Sequence, residues 1–290
     1  MLLGSIEAGG TKFVCAIAKE NYDIIDQIVI PTTTPSETLG KVIKYFKQFN
    51  IDALGVASFG PIEIREDHPK YGYITSTPKE GWKNIDIVGN LRTHFRVPIS
   101  WTTDVNGSAY GEYVKLQEKE GHTSSLVYYT IGTGVGGGAI FNGEFLGLLG
   151  HPEMGHTIVR RHEKDKTFDG CCPFHKNCLE GLASGPSFEK RLGIKGENVE
   201  DTHEIYQQVA YYIAQAALQS TLLIRPEKII FGGSVISENL LAKVRIILKE
   251  MLNNYIELPP MEEYITTPTI ENNGSATLGN FALAKQKMQQ

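Results

Sequence analysis

The 290 residues are 41% hydrophobic and 21% charged, the balance of a folded globular protein with length for two ordinary domains. A formal net charge of −5 provides no basic surface and argues against nucleic acid as a partner. No apolar run reaches the ~18–20 residues of a membrane span. The opening MLLGSIEAGGTKF lacks the basic region and cleavage site of a signal peptide, so the expected compartment is the cytoplasm, where cysteines suit metals better than disulfides.

Residues 2–30 alternate between apolar runs and breaks, which predicts three short strands joined by tight turns. The first turn, Glu7-Ala8-Gly9-Gly10-Thr11-Lys12, pairs glycines with a hydroxyl and an ammonium group. Glycine lets backbone N–H groups converge on a phosphate, Thr11 can donate to a phosphate oxygen, and Lys12 can neutralise one. The same pattern also suits a plain hairpin.

Thr34-Pro35-Ser36-Glu37 reads as a capping box with proline at the first helical position. Leu39, Val42, Ile43, Phe46 and Phe49 follow at helical spacing. The strand ALGVASFG ends at Gly60-Pro61, and the irregular residues 62–83 read as a binding loop or lid. A helix is expected from Asn84 to about His94, then the strand VPISWT.

That strand runs into Thr102-Thr103-Asp104-Val105-Asn106-Gly107. Two readings of Asp104 stand open. It is placed for general-base work after a buried strand, with Asn106 orienting a substrate, or it caps a helix running from about Asn106 to Gln117.

SSLVYYTI is the next strand, followed by Gly132-Thr133-Gly134-Val135-Gly136-Gly137-Gly138, a turn and strand start, and an Asn-Gly hairpin. Strand, glycine turn and strand thus occur twice, about 125 residues apart. Five glycines in seven residues read as a phosphate cradle, and the repetition as two related domains clasping one polyphosphate.

GHPEMGHTIVRRHEKDKTFDGCCPFHKNCLEG, from Gly150, concentrates His, Cys and Glu in one segment. Cys172, His175 and Cys178 have a spacing that a short loop can wrap around zinc, and His156 is available as the fourth tetrahedral ligand. Cys171 is the competitor of Cys172, which is favoured for its regular spacing to His175. A metal fixing His156 and Cys178 would also fix the nearby carboxylates Glu153 and Glu180, which are expected to face a substrate. Packed thiols and solvated histidines are the plainer alternative.

Past Leu182-Ala183-Ser184-Gly185-Pro186, a helix is expected over roughly 202–224. A buried strand KIIF ends in Gly232-Gly233-Ser234, and a helix follows over about 238–253. A glycine turn leading into a helix gives room for a flat ring and favours anions, so adenosine is expected at this turn. The stretch from Asn273 to Gly279 should open a C-terminal helix packing back on the N-terminal domain.

In this order the motifs resemble the ROK family of sugar kinases along nearly the whole chain. GHPEMGH, CPFHKNCLEG and IIFGGSVI look like its zinc-containing bacterial fructokinase branch. The resemblance implies an α/β fold of two ribonuclease-H-like (actin-type, sugar kinase/ATPase) domains with a central cleft. Residues 1–106 plus about 275–290 would form the smaller domain, and 107–274 the larger one with the zinc segment. It implies ATP-dependent transfer to the 6-hydroxyl of D-fructose with Mg²⁺, Asp104 as base, and Asn106, Glu153 and Glu180 on the sugar. The phosphates would lie on Gly9, Gly10, Thr11, Lys12, Gly132, Thr133 and Gly134, and adenosine on Gly232, Gly233, Ser234 and Val235. Zinc would lie on His156, Cys172, His175 and Cys178, in a homodimer with no nucleic-acid or membrane partner. The chain departs from the wider family at Glu7, where Asp is usual, at Thr103, where Asn is usual, and at Pro173, where Cys is usual. Mannose, glucose and N-acetylmannosamine are the alternative sugars. A sugar-responsive repressor is disfavoured because only six residues precede Glu7, and a sugar-binding protein without catalysis is disfavoured by Asp104 and the phosphate turns.

Overall fold

The alternating apolar residues of the N-terminal stretch pair into β1 (Leu2–Ala8), β2 (Lys12–Lys19) and β3 (Ile24–Pro31), an antiparallel meander. The computed structural model describes residues 1–147, 149–271 and 274–290. The chain divides into two compact units: Met1–His122 with Phe145–His151 and Thr269–Gln290, and Thr123–Glu144 with Pro152–Pro268.

In the first unit, period-two alternation sends neighbouring strand residues to opposite faces of the sheet. Ile6, Phe13, Cys15 and Ile17 share a core with Leu39, Val42 and Phe46 of α1 (Pro35–Phe46). Leu3, Ala16, Ala18 and Ala53 face Phe281 and Ala284 of the C-terminal helix Ser275–Lys287. The expected cap forms at α1, where the Thr34 side chain accepts from the Glu37 N–H at 3.4 Å. The Glu37 carboxylate, however, accepts from the Thr33 hydroxyl at 2.8 Å.

β4 (Ala53–Ser58) runs parallel to β1. The excursion read as a loop or lid contains β5 (Tyr73–Ile74), which pairs with β6 (Ile85–Asp86) just beyond it, and it is pinned by Trp82. That indole is fully buried and donates to the Thr33 carbonyl at 2.9 Å. The next helix, α2 (Ile87–Arg92), starts three residues later than expected. Asn84 sits at φ 59°, and Asp86 supplies the cap by accepting from the Gly89 N–H at 2.7 Å. β7 (Ile99–Thr103) and α3 (Asp104–Glu120) complete the unit, in the sheet order β3-β2-β1-β4-β7.

The C-terminal helix lies close against α3 because glycines permit it. A Cβ at Gly111 would overlap the Ser275 carbonyl oxygen, and one at Gly279 the carbonyl oxygen of Gly107. Glu112 of α3, fully buried, accepts from the Thr269 N–H at 2.9 Å and from the Ser275 hydroxyl at 2.7 Å. The helix packs on the N-terminal unit as expected, while Asn273 lies outside the described residues.

The second unit repeats the scheme. β8 (Ser125–Ile131) and β9 (Val135–Phe141) are antiparallel, and Asn142 and Gly143, both at positive φ, turn the chain into β10 (Glu144–Phe145). The helices are α4 (Leu179–Ala183), α5 (Gly185–Leu192), α6 (Ile205–Leu223), α7 (Glu238–Leu252) and α8 (Met261–Tyr264). β11 (Lys228–Gly232) runs parallel to β8 and β12 (Ile265–Thr266) parallel to β11, so the order β10-β9-β8-β11-β12 matches that of the first unit. Among the described residues no helix is long and apolar enough to cross a membrane.

Candidate active site and metal centre

In the first unit the chemistry gathers where β1 and β7 end. Thr103 is the cap of α3, its hydroxyl accepting from the Asn106 N–H at 3.1 Å. Asp104 is therefore the first residue of the helix rather than its cap, and one carboxylate oxygen accepts from the Val105 N–H at 2.8 Å. Burial and the nearby Asp104 carboxylate raise the Glu7 carboxyl to about 7, with Lys12 pulling against them. Glu7, Asp104 and Lys12 thus form one electrostatic group, a pattern typical of functional sites. Asn106 is buried, and its side-chain oxygen has no hydrogen-bond partner among the described residues. Such an atom is costly unless a ligand satisfies it.

Gly9 closes the first turn, donating to the Lys12 carbonyl at 2.9 Å and accepting from the Thr32 hydroxyl at 2.7 Å. Gly10 has open space where a side chain would stand, and Thr11 and Lys12 are exposed.

In the second unit, parallel β8 and β11 end side by side, and each runs into a glycine turn. Open α/β sheets bind ligands outside the carboxyl ends of such strands. The turns are joined: the Val235 N–H donates to the Ile131 carbonyl at 3.0 Å, and the Gly185 N–H to the Gly132 carbonyl at 2.7 Å. Gly233 sits at φ 97°, where a Cβ would overlap the Ile131 backbone. Thr133 and Ser234 are exposed. The glycine run divides into a turn and a strand start as expected, so that of the five glycines counted in the cradle Gly136, Gly137 and Gly138 belong to β9. Gly137 leaves room for Met154, whose Cβ would lie 2.6 Å from an added methyl.

The four expected metal donors converge, with His156, Cys172, His175 and Cys178 presenting atoms all within 4.8 Å of one another. Cys172 Sγ lies 3.7 Å from His156 Nδ1 and 3.9 Å from His175 Nδ1, and Cys178 Sγ lies 3.5 Å from His156 Nδ1. Tetrahedral zinc with ordinary bond lengths separates sulfur and nitrogen ligands by about 3.5–3.8 Å, so the donor set fits zinc in type, number and spacing. Cys171 points elsewhere, its sulfur 3.5 Å from the Ser184 hydroxyl. Both cluster cysteines are buried and His175 is exposed, so the centre opens to solvent on one side.

Glu153 is exposed and begins the short 3₁₀ turn Met154–His156, its carbonyl accepting from the His156 N–H at 3.0 Å. Glu180 lies in α4, two residues past Cys178, and its Oε2 accepts from the Val135 N–H at 3.1 Å. Sequence reasoning missed that bond, the cap on Thr103, and Gly155, where a Cβ would overlap the Val135 carbonyl oxygen. For Gly155 the signal was its place beside His156, an expected metal donor.

Two units of one ribonuclease-H-like topology, each with a glycine turn at its strand ends, define an actin-type sugar kinase/ATPase fold. The chain belongs to the ROK family, whose model matches residues 3–287. It is 53% identical to a fructokinase of Streptococcus mutans over 98% of each chain. It is 54% identical to a fructokinase of Lactococcus lactis, over 97% of this chain and 96% of that one. The ROK hexokinase of Thermus thermophilus shares the fold at a TM-score of 0.81, with 18% identity over 100% of this chain and 99% of that one.

Proposed function

We propose that the chain is a fructokinase, transferring the γ-phosphoryl group of ATP to the 6-hydroxyl of D-fructose. The observation that carries a phosphoryl-transfer reading is the group formed by Asp104, Glu7 and Lys12 beside a glycine turn. Fructose as the sugar is supported by the near full-length likeness to two fructokinases.

In this reading Asp104 accepts the proton of the attacking hydroxyl, a contribution of order 10²–10⁴ in rate. Asn106 offers its buried side-chain oxygen to a sugar hydroxyl, and Glu153 and Glu180 hold others. A sugar that leaves these groups unpaired is rejected. Gly9, Gly10, Thr11, Gly132, Thr133 and Gly134 hold phosphates, with Lys12 neutralising charge. Gly232, Gly233, Ser234 and Val235 receive adenosine. Mg²⁺, when bound, spreads the charge of the phosphates, as phosphoryl transfer requires. His156, Cys172, His175 and Cys178 would hold zinc, which fixes the loops bearing Glu153 and Glu180. A homodimer is expected from the family resemblance, and sedimentation velocity tests it.

The experiment is MgATP-dependent phosphorylation measured across fructose, mannose, glucose and N-acetylmannosamine. Preference for fructose is the expected result. Preference for another hexose would move the specificity, and sugar binding with no turnover on any of the four would end the kinase reading.

A further inference from the structure

Val135 closes the Gly132–Gly134 turn and is gripped from two sides. On one side Glu180 Oε2 accepts from its N–H at 3.1 Å and lies 2.8 Å from where a Gly134 Cβ would stand. On the other side Gly155 approaches so closely that any side chain there would overlap the Val135 carbonyl oxygen. Both grips belong to the metal segment. Gly155 directly precedes His156, and Glu180 follows Cys178 by two residues.

The backbone between each donor and its grip is short and fastened. Cys178 is the cap residue of α4, its carbonyl accepts from the Leu182 N–H at 3.1 Å, and Leu179 donates to the Thr157 carbonyl at 2.9 Å. Gly181 lets α4 sit directly on the Lys176 carbonyl within the Cys172–Cys178 loop. His156 Nδ1 lies 3.5 Å from Cys178 Sγ, so an ion shared by the two ties one grip to the other. The turn held this way bonds onward to the second glycine turn through Ile131 and Val235.

We infer that the metal centre positions the Gly132–Val135 turn, through Glu180 and Gly155, and so sets nucleotide affinity independently of sugar. The inference rests on the nucleotide reading of that turn and adds to Glu180 a positioning role beside its sugar contact. One carboxylate oxygen is committed to the Val135 N–H, which leaves the other for a substrate hydroxyl.

The test is binding of a non-hydrolysable ATP analogue with Mg²⁺ and without sugar, by calorimetry, with amide hydrogen exchange of residues 131–136 measured in parallel. Stripping zinc with a chelator should weaken the analogue about 5- to 20-fold and speed exchange at Val135, and zinc alone should restore both. Glu180→Ala should reproduce the nucleotide loss. Glu180→Gln keeps an oxygen for the Val135 N–H, so it should bind the analogue within about 2-fold of the parent while fructose affinity falls. Unchanged exchange and affinity after chelation would overturn the inference. Equal nucleotide losses in the Ala and Gln variants would overturn the part assigned to Glu180. An analogue that fails to bind the zinc-loaded parent would count against the kinase reading instead, and exchange at Val135 would still decide the positioning role.

Discussion

The two glycine turns occupy the same place in the same topology, yet they are built differently. The turn at Gly9–Lys12 carries its own charge, with Lys12 in it and Glu7 and Asp104 beside it, and it is held by main-chain bonds and Thr32. The turn at Gly132–Gly134 contains no charged residue; beside its own bond from the Gly132 N–H to the Gly134 carbonyl at 2.9 Å, it is held from outside through Val135, by Glu180 and by the close approach of Gly155. A duplicated scaffold thus separates two tasks. On the proposed reading one copy concentrates groups that would move protons or neutralise phosphate, and the other supplies neutral backbone gripped by the Cys/His segment beside it.

Four perturbations test that division, from the largest expected effect to the smallest. Asp104→Asn should lower kcat by about 10²- to 10⁴-fold with fructose affinity nearly unchanged, and a variant that keeps parental turnover would remove Asp104 from the base role. Zinc removal should act on the other copy. At free zinc a thousandfold above its Kd, binding to the native state alone is worth about 4 kcal/mol, so chelation should lower the melting of the second unit by that order. A calorimetric scan in which both units shift equally would contradict the separation.

Glu7 provides a pH test. Its carboxyl is raised in the folded state to about 7, so the native protein holds a proton that the unfolded chain releases near pH 4.5. The stabilisation is full below that pH and is lost as pH rises through 7, by on the order of 3 kcal/mol. Glu7→Gln should flatten this segment of the stability profile when denaturant melts are run between pH 4.5 and 7.5. The smallest effect is expected at Lys12→Ala, an exposed group whose loss should raise KM for ATP about 10-fold, worth ~1.4 kcal/mol, with fructose KM unmoved. A rise confined to fructose would place Lys12 at the wrong substrate.

What could be read from the sequence was what depends on local pattern. Strand alternation gave β1 to β3, Thr34 and Pro35 marked the start of α1, and the Cys172/His175/Cys178 spacing pointed to donors that do converge with His156. What escaped depends on neighbours remote in the chain. Local pattern left Asp104 between base and cap, because it cannot show whether the hydroxyl of Thr103 or the carboxylate of Asp104 reaches the Asn106 N–H. The start of α2 was misplaced because Asn84 adopts positive φ and yields the cap to Asp86. The glycines of β9 looked like a phosphate loop, although Gly137 is small because Met154 packs on it. A glycine run records close approach without saying whether a ligand or a side chain makes it.

The C-terminal helix has a consequence for how the chain emerges from a ribosome. Leu3, Ala16, Ala18 and Ala53 cluster with Phe281 and Ala284, with Tyr22 packed beside them, so the first unit to be synthesised is the last that can be sealed. Translation at ~5–20 residues per second leaves that apolar sheet face waiting on the order of 10–45 s after Ala53 is made. The second unit, whose last strand ends at Thr266, can close meanwhile. A chaperone that recognises bare apolar sheet should accordingly be recovered on ribosome-bound chains arrested before Phe281 and be released from chains extended beyond Lys287.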